Sequence, residues 1–375
     1  MIQRIRKTQL VLPKSQLGKT GIELTSLALG GFHQVEVSSE IVGQIIDAYL
    51  EVGGNYIETA RGYGAGASED KIGRALVNRR DRVVLCSKSA NRTADGIRRD
   101  LETSLELLQT DHIEFYYFHG VNTLEEMDTI TGPGGALEGL QRAKDEGLIA
   151  GMGLSSHRPP MYIEALNRLP LSLILIWSNF LEDLYLPEIS REIIPLAKEK
   201  GVGVTAMKPL ADGYLYRSAS HAMRYALGGG AEVIVCGMNT VNHVYQAASA
   251  VCQGPADDEE RAMILRDAPE LGCYVCRQCG ACSDDLMEIF RLEGYCDRQM
   301  IDFLEHDPAD YALRVRLSGW FSLTDTAREH FAQKGWNEDA MLAEAARIQC
   351  PYYIDVQRKT RLALAKLKKE SPQRI

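Results

Sequence analysis

Short apolar runs alternate with amphipathic stretches from Leu27 to Cys252, and the pattern returns about every thirty residues. Runs of apolar and β-branched residues read as buried strands, whereas apolar positions spaced by three and four read as one face of a helix. Eight strands are predicted: Leu27–Gly30, Asn55–Thr59, Val83–Lys88, Ile113–His119, Gly151–Ser155, Leu173–Ser178, Gly203–Met207 and Glu232–Gly237. Between the third and the fourth, Ile97, Leu101, Leu105 and Leu108 follow Thr93 at helical spacing, which predicts a capped helix over Ala94–Leu108. Repeated β-α units of this kind close into a parallel barrel, and the count of eight separates a barrel from an open sheet. No G-x-G-x-x-G fingerprint opens the first helix, which disfavours a doubly wound dinucleotide domain.

The pattern changes near Gly254, after which charged residues, a run of cysteines and helical stretches follow without strand alternation. The expected organisation is therefore an α/β chain of two domains, a (β/α)8 TIM barrel over residues 1–253 and a small, mainly α-helical domain over 254–375. A length of 375 residues exceeds one ordinary core and accommodates both. The formal charge of −9 and the absence of a basic stripe argue against nucleic acid as a partner. Residues Met1 to Lys19 include basic side chains but no apolar core of a signal sequence, and no uncharged run is long enough to cross a bilayer. A cytoplasmic protein that does not engage a membrane is expected.

The cysteines narrow the chemistry. Cys273, Cys276, Cys279 and Cys282 follow one another at every third position, and Cys350 precedes Pro351 much later in the chain. Thiolates so spaced around a tight loop converge on one small volume, and a distant Cys-Pro supplies the fourth ligand in ferredoxin-type sites. A [4Fe–4S] cluster is the expected occupant, and a structural zinc site is the rival. The small domain is then an iron–sulfur domain that its metal group helps to fold. Cys86, Cys236 and Cys252 stand singly among apolar residues and are expected to be small core residues.

Polar residues at the carboxyl ends of barrel strands are the candidates for catalysis. Glu58 ends the second predicted strand and Tyr63 follows it, Lys88 ends the third, and His119 ends the fourth. Each alone could be an ordinary packed or snorkelling side chain. Together they supply a carboxylate, a phenol, an ammonium and an imidazole, the inventory needed to protonate a carbonyl oxygen.

With these residues the chain resembles the aldo-keto reductases, here followed by a ferredoxin-like tail. Leu17-Gly18-Lys19-Thr20-Gly21 and Leu27-Ala28-Leu29-Gly30-Gly31 are similar to that family's opening hairpin and first strand. Tyr56-Ile57-Glu58-Thr59-Ala60-Arg61-Gly62-Tyr63-Gly64, with Ser68-Glu69 after it, matches its acid-Thr-Ala-x-x-Tyr-Gly motif. Gly153-Leu154-Ser155-Ser156 resembles the segment that holds the nicotinamide amide, Ala206-Met207-Lys208-Pro209-Leu210 the cofactor loop, and Ile234-Val235-Cys236-Gly237-Met238 the last strand, where the family grips the cofactor phosphates. The resemblance implies NADP(H) or NAD(H) as cofactor, bound by Gly31, Phe32, Ser155, Ser156, Lys208, Leu210, Gly237 and Asn239. It also implies a small-molecule carbonyl substrate, Tyr63 as proton donor, Lys88 and His119 assisting the phenol, and Glu58 orienting Lys88.

The departures from the family pattern bear on cofactor choice. Glu58 replaces the usual Asp, Ser156 the usual Asn, and Met207 a frequent aromatic residue, while His243, Gln246 and Ala247 replace the usual contacts to adenine and 2′-phosphate. Ser283-Asp284-Asp285-Leu286 lacks the nearby Cys-Pro of many relatives, so Cys276, Cys279, Cys282 and Cys350 are the expected cluster ligands, and Cys273 and Cys296 are spare. A hydride carries two electrons and the cluster one, so the cluster is equally a structural staple or an electron carrier. Two alternatives stay open: a cluster-centred electron-transfer protein served by a ferredoxin or flavin partner, and a barrel that binds without turnover.

Overall fold

The computed structural model of the chain describes residues 10–298 and 323–368. An antiparallel hairpin, β1 (Lys14–Gln16) and β2 (Glu23–Thr25), precedes eight parallel strands that close into a barrel. These are β3 (Leu27–Gly30), β4 (Tyr56–Glu58), β5 (Val84–Ser89), β6 (Ile113–Phe118), β7 (Ile149–Ser155), β8 (Leu173–Trp177), β9 (Gly203–Met207) and β10 (Val233–Gly237), with β10 pairing back onto β3. All eight coincide with predicted strands, and the helix Ala94–Leu108 starts and ends where the pattern placed it, with the Thr93 side chain accepting from the Gly96 amide.

Side chains fill the barrel. Tyr56, Cys86, Phe115, Tyr117, Leu173, Leu175, Val233 and Val235 form one buried cluster, joined by Leu17 and Leu24 from the hairpin. Only two hydroxyls face each other inside this cluster, Tyr56 and Tyr117 at 3.2 Å, and pairing them removes the cost of burying either alone. The hairpin turns tightly at the amino ends of the strands: Gly18, at φ +47°, lies so close to Val202 and Gly203 that a Cβ would meet their backbone. With the amino end closed by Leu17 and Gly18, the carboxyl ends carry the chemistry.

One sequence reading needs correction. Cys252 is exposed, with its thiol 3.4 Å from the Val11 carbonyl, because it lies just beyond the helix Val241–Val251 rather than on its buried face. Segment 121–135, after β6, contains the helix Leu124–Thr131. Its start is a capping box: the Thr123 hydroxyl accepts from the Glu126 amide at 3.1 Å, and the Glu126 carboxylate accepts from the Thr123 amide at 3.1 Å.

The chain divides into two compact units, one of residues 1–179, 188–209 and 220–257, the other of residues 180–187, 210–219 and 258–375. The first is the barrel. The second is built on the helices Asp258–Asp267, Asp284–Arg298, Leu323–Lys334, Glu338–Ala345 and Val356–Lys368. Glu344 ties two of them together, accepting from the amide and hydroxyl of Ser283 at 2.9 and 2.7 Å. Among the described residues no helix is long and apolar enough to cross a membrane.

The barrel interior yields a direct test of packing. Gly153 on β7 faces the Tyr117 ring so closely that a Cβ has no room. Gly153→Ala is expected to destabilise the protein by about 1–3 kcal/mol, the usual cost of overpacking, read as a lower urea midpoint at unchanged slope.

Candidate active site

Strand β4 ends at Glu58, and the chain then reverses through Gly64, Ala65 and Gly66, all at positive φ, before the helix Ala67–Leu76 begins. Gly64 and Gly66 adopt this conformation readily. Ala65, at φ +54°, does so at a cost of about 1–2 kcal/mol. The reversal leaves Tyr63 at the carboxyl end of the barrel. Its ring is held edge to face between Phe32, at 5.2 Å, and His119, at 5.8 Å.

Lys88 reaches this ring from β5. Its ammonium is fully buried, donates to the Tyr63 hydroxyl at 3.2 Å and to the Thr59 carbonyl at 2.7 Å, and forms an ion pair with the buried Glu58 carboxylate. Burial pushes the Lys88 ammonium well below its ordinary value, and the carboxylate in contact with it opposes that shift. The longer Glu58 side chain therefore reaches Lys88 as an aspartate would be expected to. Burial also raises the Tyr63 phenol above its ordinary value, with Cys86 adding to the rise. Tyr63 is thus a firmly protonated phenol in the absence of other groups.

His119 directly follows β6 and is half-buried, and its carbonyl accepts from the Arg92 guanidinium at 2.9 Å. Burial, reinforced by the charges of Lys88, His157 and Arg92, lowers the imidazole to about 3, so it is neutral at physiological pH. Arg92 also donates to the Gly120 carbonyl at 3.0 Å and pairs with Glu126 at 2.9 Å, which fixes the loop that carries His119. Nothing local in the sequence distinguished Arg92, whose partners come from another βα unit.

The expected cofactor residues fall into several groups. The Gly31 amide donates to the Glu58 carbonyl at 2.6 Å, which sets Phe32 beside Tyr63. The Ser155 hydroxyl, at the end of β7, accepts from the Gly120 amide at 3.1 Å, and the Ser156 hydroxyl lies 3.2 Å from the Asn122 side-chain oxygen and 2.9 Å from the Arg158 amide. Both serines therefore brace the loop after His119, and Asn122, which sequence reasoning missed, accepts from the Ser156 hydroxyl and the His157 amide. Lys208 stands 5.4 Å over the Trp177 ring, and His157 stacks on the same ring at 5.2 Å. Met207 packs partly into the core and pairs in register with Trp177, so the aromatic ring missing at 207 is present on the adjacent strand. Gly237 is exposed at the end of β10 with His33 packed against it, and half-buried Asn239 precedes Thr240, which caps the helix Val241–Val251. Of the departures on that helix, His243 and Gln246 are exposed, whereas Ala247 is buried against the barrel unit. Leu210 belongs to the second unit, where its carbonyl closes the turn to Gly213.

In the second unit Cys276, Cys279, Cys282 and Cys350 line one recess with Phe290, Tyr352 and Val356. Positive φ at Gln278, Gly280 and Tyr353 wraps the chain around it. The Cys276 sulfur accepts from the Gln278 amide at 3.5 Å, and the Cys350 sulfur from the Tyr352 amide at 3.4 Å. Burial raises the Cys276 thiol while Lys359 acts against that rise, and burial together with the neighbouring cysteines pushes Cys282 up to about 11. Among the described residues no three Cys, His, Asp or Glu side chains stand as an assembled metal-binding group. Cys273 is exposed, and the Cys296 side chain lies outside the described residues.

The depressed imidazole makes folding depend on pH. Between pH 6.5 and about 3 the unfolded chain holds a proton on His119 that the folded chain excludes. This contribution to stability is full above 6.5 and is lost as pH falls toward the folded value. His119→Gln is expected to flatten the fall in the denaturant midpoint across this acid range, and an unchanged slope would contradict the burial of the imidazole.

The Aldo/keto reductase family matches residues 26–226. The uncharacterized oxidoreductases YqkF and YrpG of Bacillus subtilis are 29% and 30% identical over 214 and 225 residues, or 54% and 53% of this chain. The chain spans 66% and 67% of their lengths. Among solved structures, the holo form of aldo-keto reductase AKR11C1 from Bacillus halodurans superposes with a TM-score of 0.60 at 27% identity, over 68% of this chain and 95% of that one. The matched residues carry Glu58, Tyr63, Lys88 and His119 on the strands and turns just described, and the chain belongs to the aldo/keto reductase family.

Proposed function

We propose that this protein is an NAD(P)H-dependent reductase of a small-molecule carbonyl compound. The observation that carries the reading is the buried ammonium of Lys88, bonded at once to the Tyr63 phenol and paired with Glu58. When bound, a reduced nicotinamide supplies the hydride that converts the carbonyl carbon. The chain's part is to hold the carbonyl oxygen, supply a proton to it and keep water from competing.

Tyr63 is the proton donor. Its phenol is held by Phe32 and His119 at the ring and by Lys88 at the oxygen. As negative charge grows on the substrate oxygen, the phenol gives up its proton, and the ammonium 3.2 Å away stabilises the phenolate left behind. Glu58 keeps Lys88 charged against the cost of burial, and a neutral His119 donates its ring N–H to the substrate oxygen without adding charge.

The residues present suit a nicotinamide dinucleotide. The helix Val241–Val251 has no acidic residue in its first turn and starts beyond the exposed end of β10, an arrangement whose amides and dipole favour phosphate. Ser155, Ser156, Lys208 and Asn239 would hold the remainder, and exposed His243 and Gln246 would meet the adenosine end.

The recess of the second unit suits a thiolate-bound group. Its donor set is Cys276, Cys279, Cys282 and Cys350, and two of the four sulfurs already accept amide N–H groups, as cluster thiolates do. These four would hold a [4Fe–4S] cluster, which supplies one-electron chemistry or simply staples the helices.

In a carbonyl-reduction assay with NADPH and with NADH, Tyr63→Phe is expected to lower kcat by about 10²–10⁴ while leaving nucleotide binding, followed by fluorescence, intact. Reduction that survives this change would remove Tyr63 as the acid, and failure of either nucleotide to bind would remove the reading itself.

Protein purified without oxygen is expected to contain iron and acid-labile sulfide, and Cys350→Ser to lose the intact cluster. Stoichiometric zinc without iron would favour the zinc alternative.

A further inference from the structure

The helix Val356–Lys368 presents two ammonium groups to the interior of the second unit, Lys359 at 3% exposure and Lys366 at 6%, and both meet one carboxylate, the fully buried Glu293. Lys359 lies 2.6 Å from one Glu293 oxygen, and Lys366 lies 3.1 Å from the other. Glu293 is therefore divided between two cations. Lys359 also stands 3.9 Å over the Tyr274 ring and 5.3 Å over that of Phe290.

Position gives this charge a purpose. Phe290 and Val356 line the cysteine recess, and Lys359 follows Val356 by one helical turn. Burying an ammonium costs several kcal/mol before its pairing is counted, and half a carboxylate and two ring faces return part of that cost. A group held by four thiolates is anionic, and it is the missing counter-charge.

We infer that Lys359 is a positioning residue for the group bound by Cys276, Cys279, Cys282 and Cys350, its buried positive charge strengthening thiolate binding and easing the group's reduction. The inference rests on the cysteine recess proposed above and adds to it the residue that sets affinity and potential. Reduction adds a negative charge to the cluster, so a fixed cation close by favours the reduced state.

Two measurements on the full chain separate this inference from the cluster reading. The first is cadmium titration of the metal-free protein, followed by its sulfur-to-metal absorption, which needs no iron. Lys359→Met is expected to weaken cadmium binding about tenfold, the low end of what one neighbouring charge does to an ionisation, and Lys359→Arg to restore most of it. The second is the reduction potential of the reconstituted cluster. Lys359→Met should shift the reduced-to-oxidised ratio about tenfold toward the oxidised form, or about 59 mV for one electron.

Glu293→Gln, which leaves Lys359 less neutralised, should move both quantities the opposite way, and it keeps the test open should Lys359→Met fail to fold. Equal affinities and potentials in folded Lys359→Met and wild type would overturn the inference, as would a Lys359→Arg variant as impaired as Lys359→Met, or a Glu293→Gln shift of the same sign. A wild type without iron would defeat the cluster reading alone, because the cadmium titration still decides the role of Lys359.

Discussion

A buried ammonium next to a phenol is unstable unless something compensates the lost hydration, and the active end of this barrel is organised around that requirement. Lys88 cannot reach water, so its three hydrogens go to Glu58, Thr59 and Tyr63. Each of these partners comes from one short stretch, the end of β4 and the turn after it. The strand pairing of β4 with β5 places Glu58 beside Cys86, two residues before Lys88, and the left-handed turn at Ala65 and its flanking glycines brings Tyr63 back over the ammonium. Strain in that turn is local, about 1–2 kcal/mol, and it is offset by a hydrogen bond to a charged group that is itself worth about 1.5–3 kcal/mol.

Around this centre the loops after β6 and β7 brace one another. Ser155 and Ser156 bond to the loop that carries His119, while Arg92 holds the same loop from below through two carbonyls. Ser155 and Ser156 are buried, and their hydrogen bonds go to loop support. This is a physical reason for Asn122 to matter, since its side-chain oxygen accepts from the Ser156 hydroxyl at 3.2 Å and from the His157 amide at 2.8 Å and so links Ser156 to the ring stack at Trp177.

The second unit solves a different problem. With few apolar residues per helix, it relies on buried polar contacts: Glu293 with Lys359, Lys366 and Tyr274, and Arg277 donating to the Leu271 and Gly272 carbonyls at 3.0 and 2.6 Å. Such networks hold only when every member is satisfied. The same unit places Cys276, Cys279, Cys282 and Cys350 around one recess, which Phe290 and Val356 line with them.

Much of this protein is determined by its linear sequence. The eight buried runs and the helical spacing of Ile97, Leu101, Leu105 and Leu108 fixed the barrel, because a strand covered on both faces and a helix covered on one must carry those periods. Glu58, Tyr63, Lys88 and His119 were legible because polar residues at strand ends in such a barrel converge on one mouth. Tertiary structure alone decided which of them touch, that the longer Glu58 meets Lys88, that His119 is neutral, and that Ser155 and Ser156 serve the neighbouring loop. It also decided the partners of Arg92, Asn122 and Trp177. Charge, burial and partnership are sums over groups distant in the chain, and no local period records them.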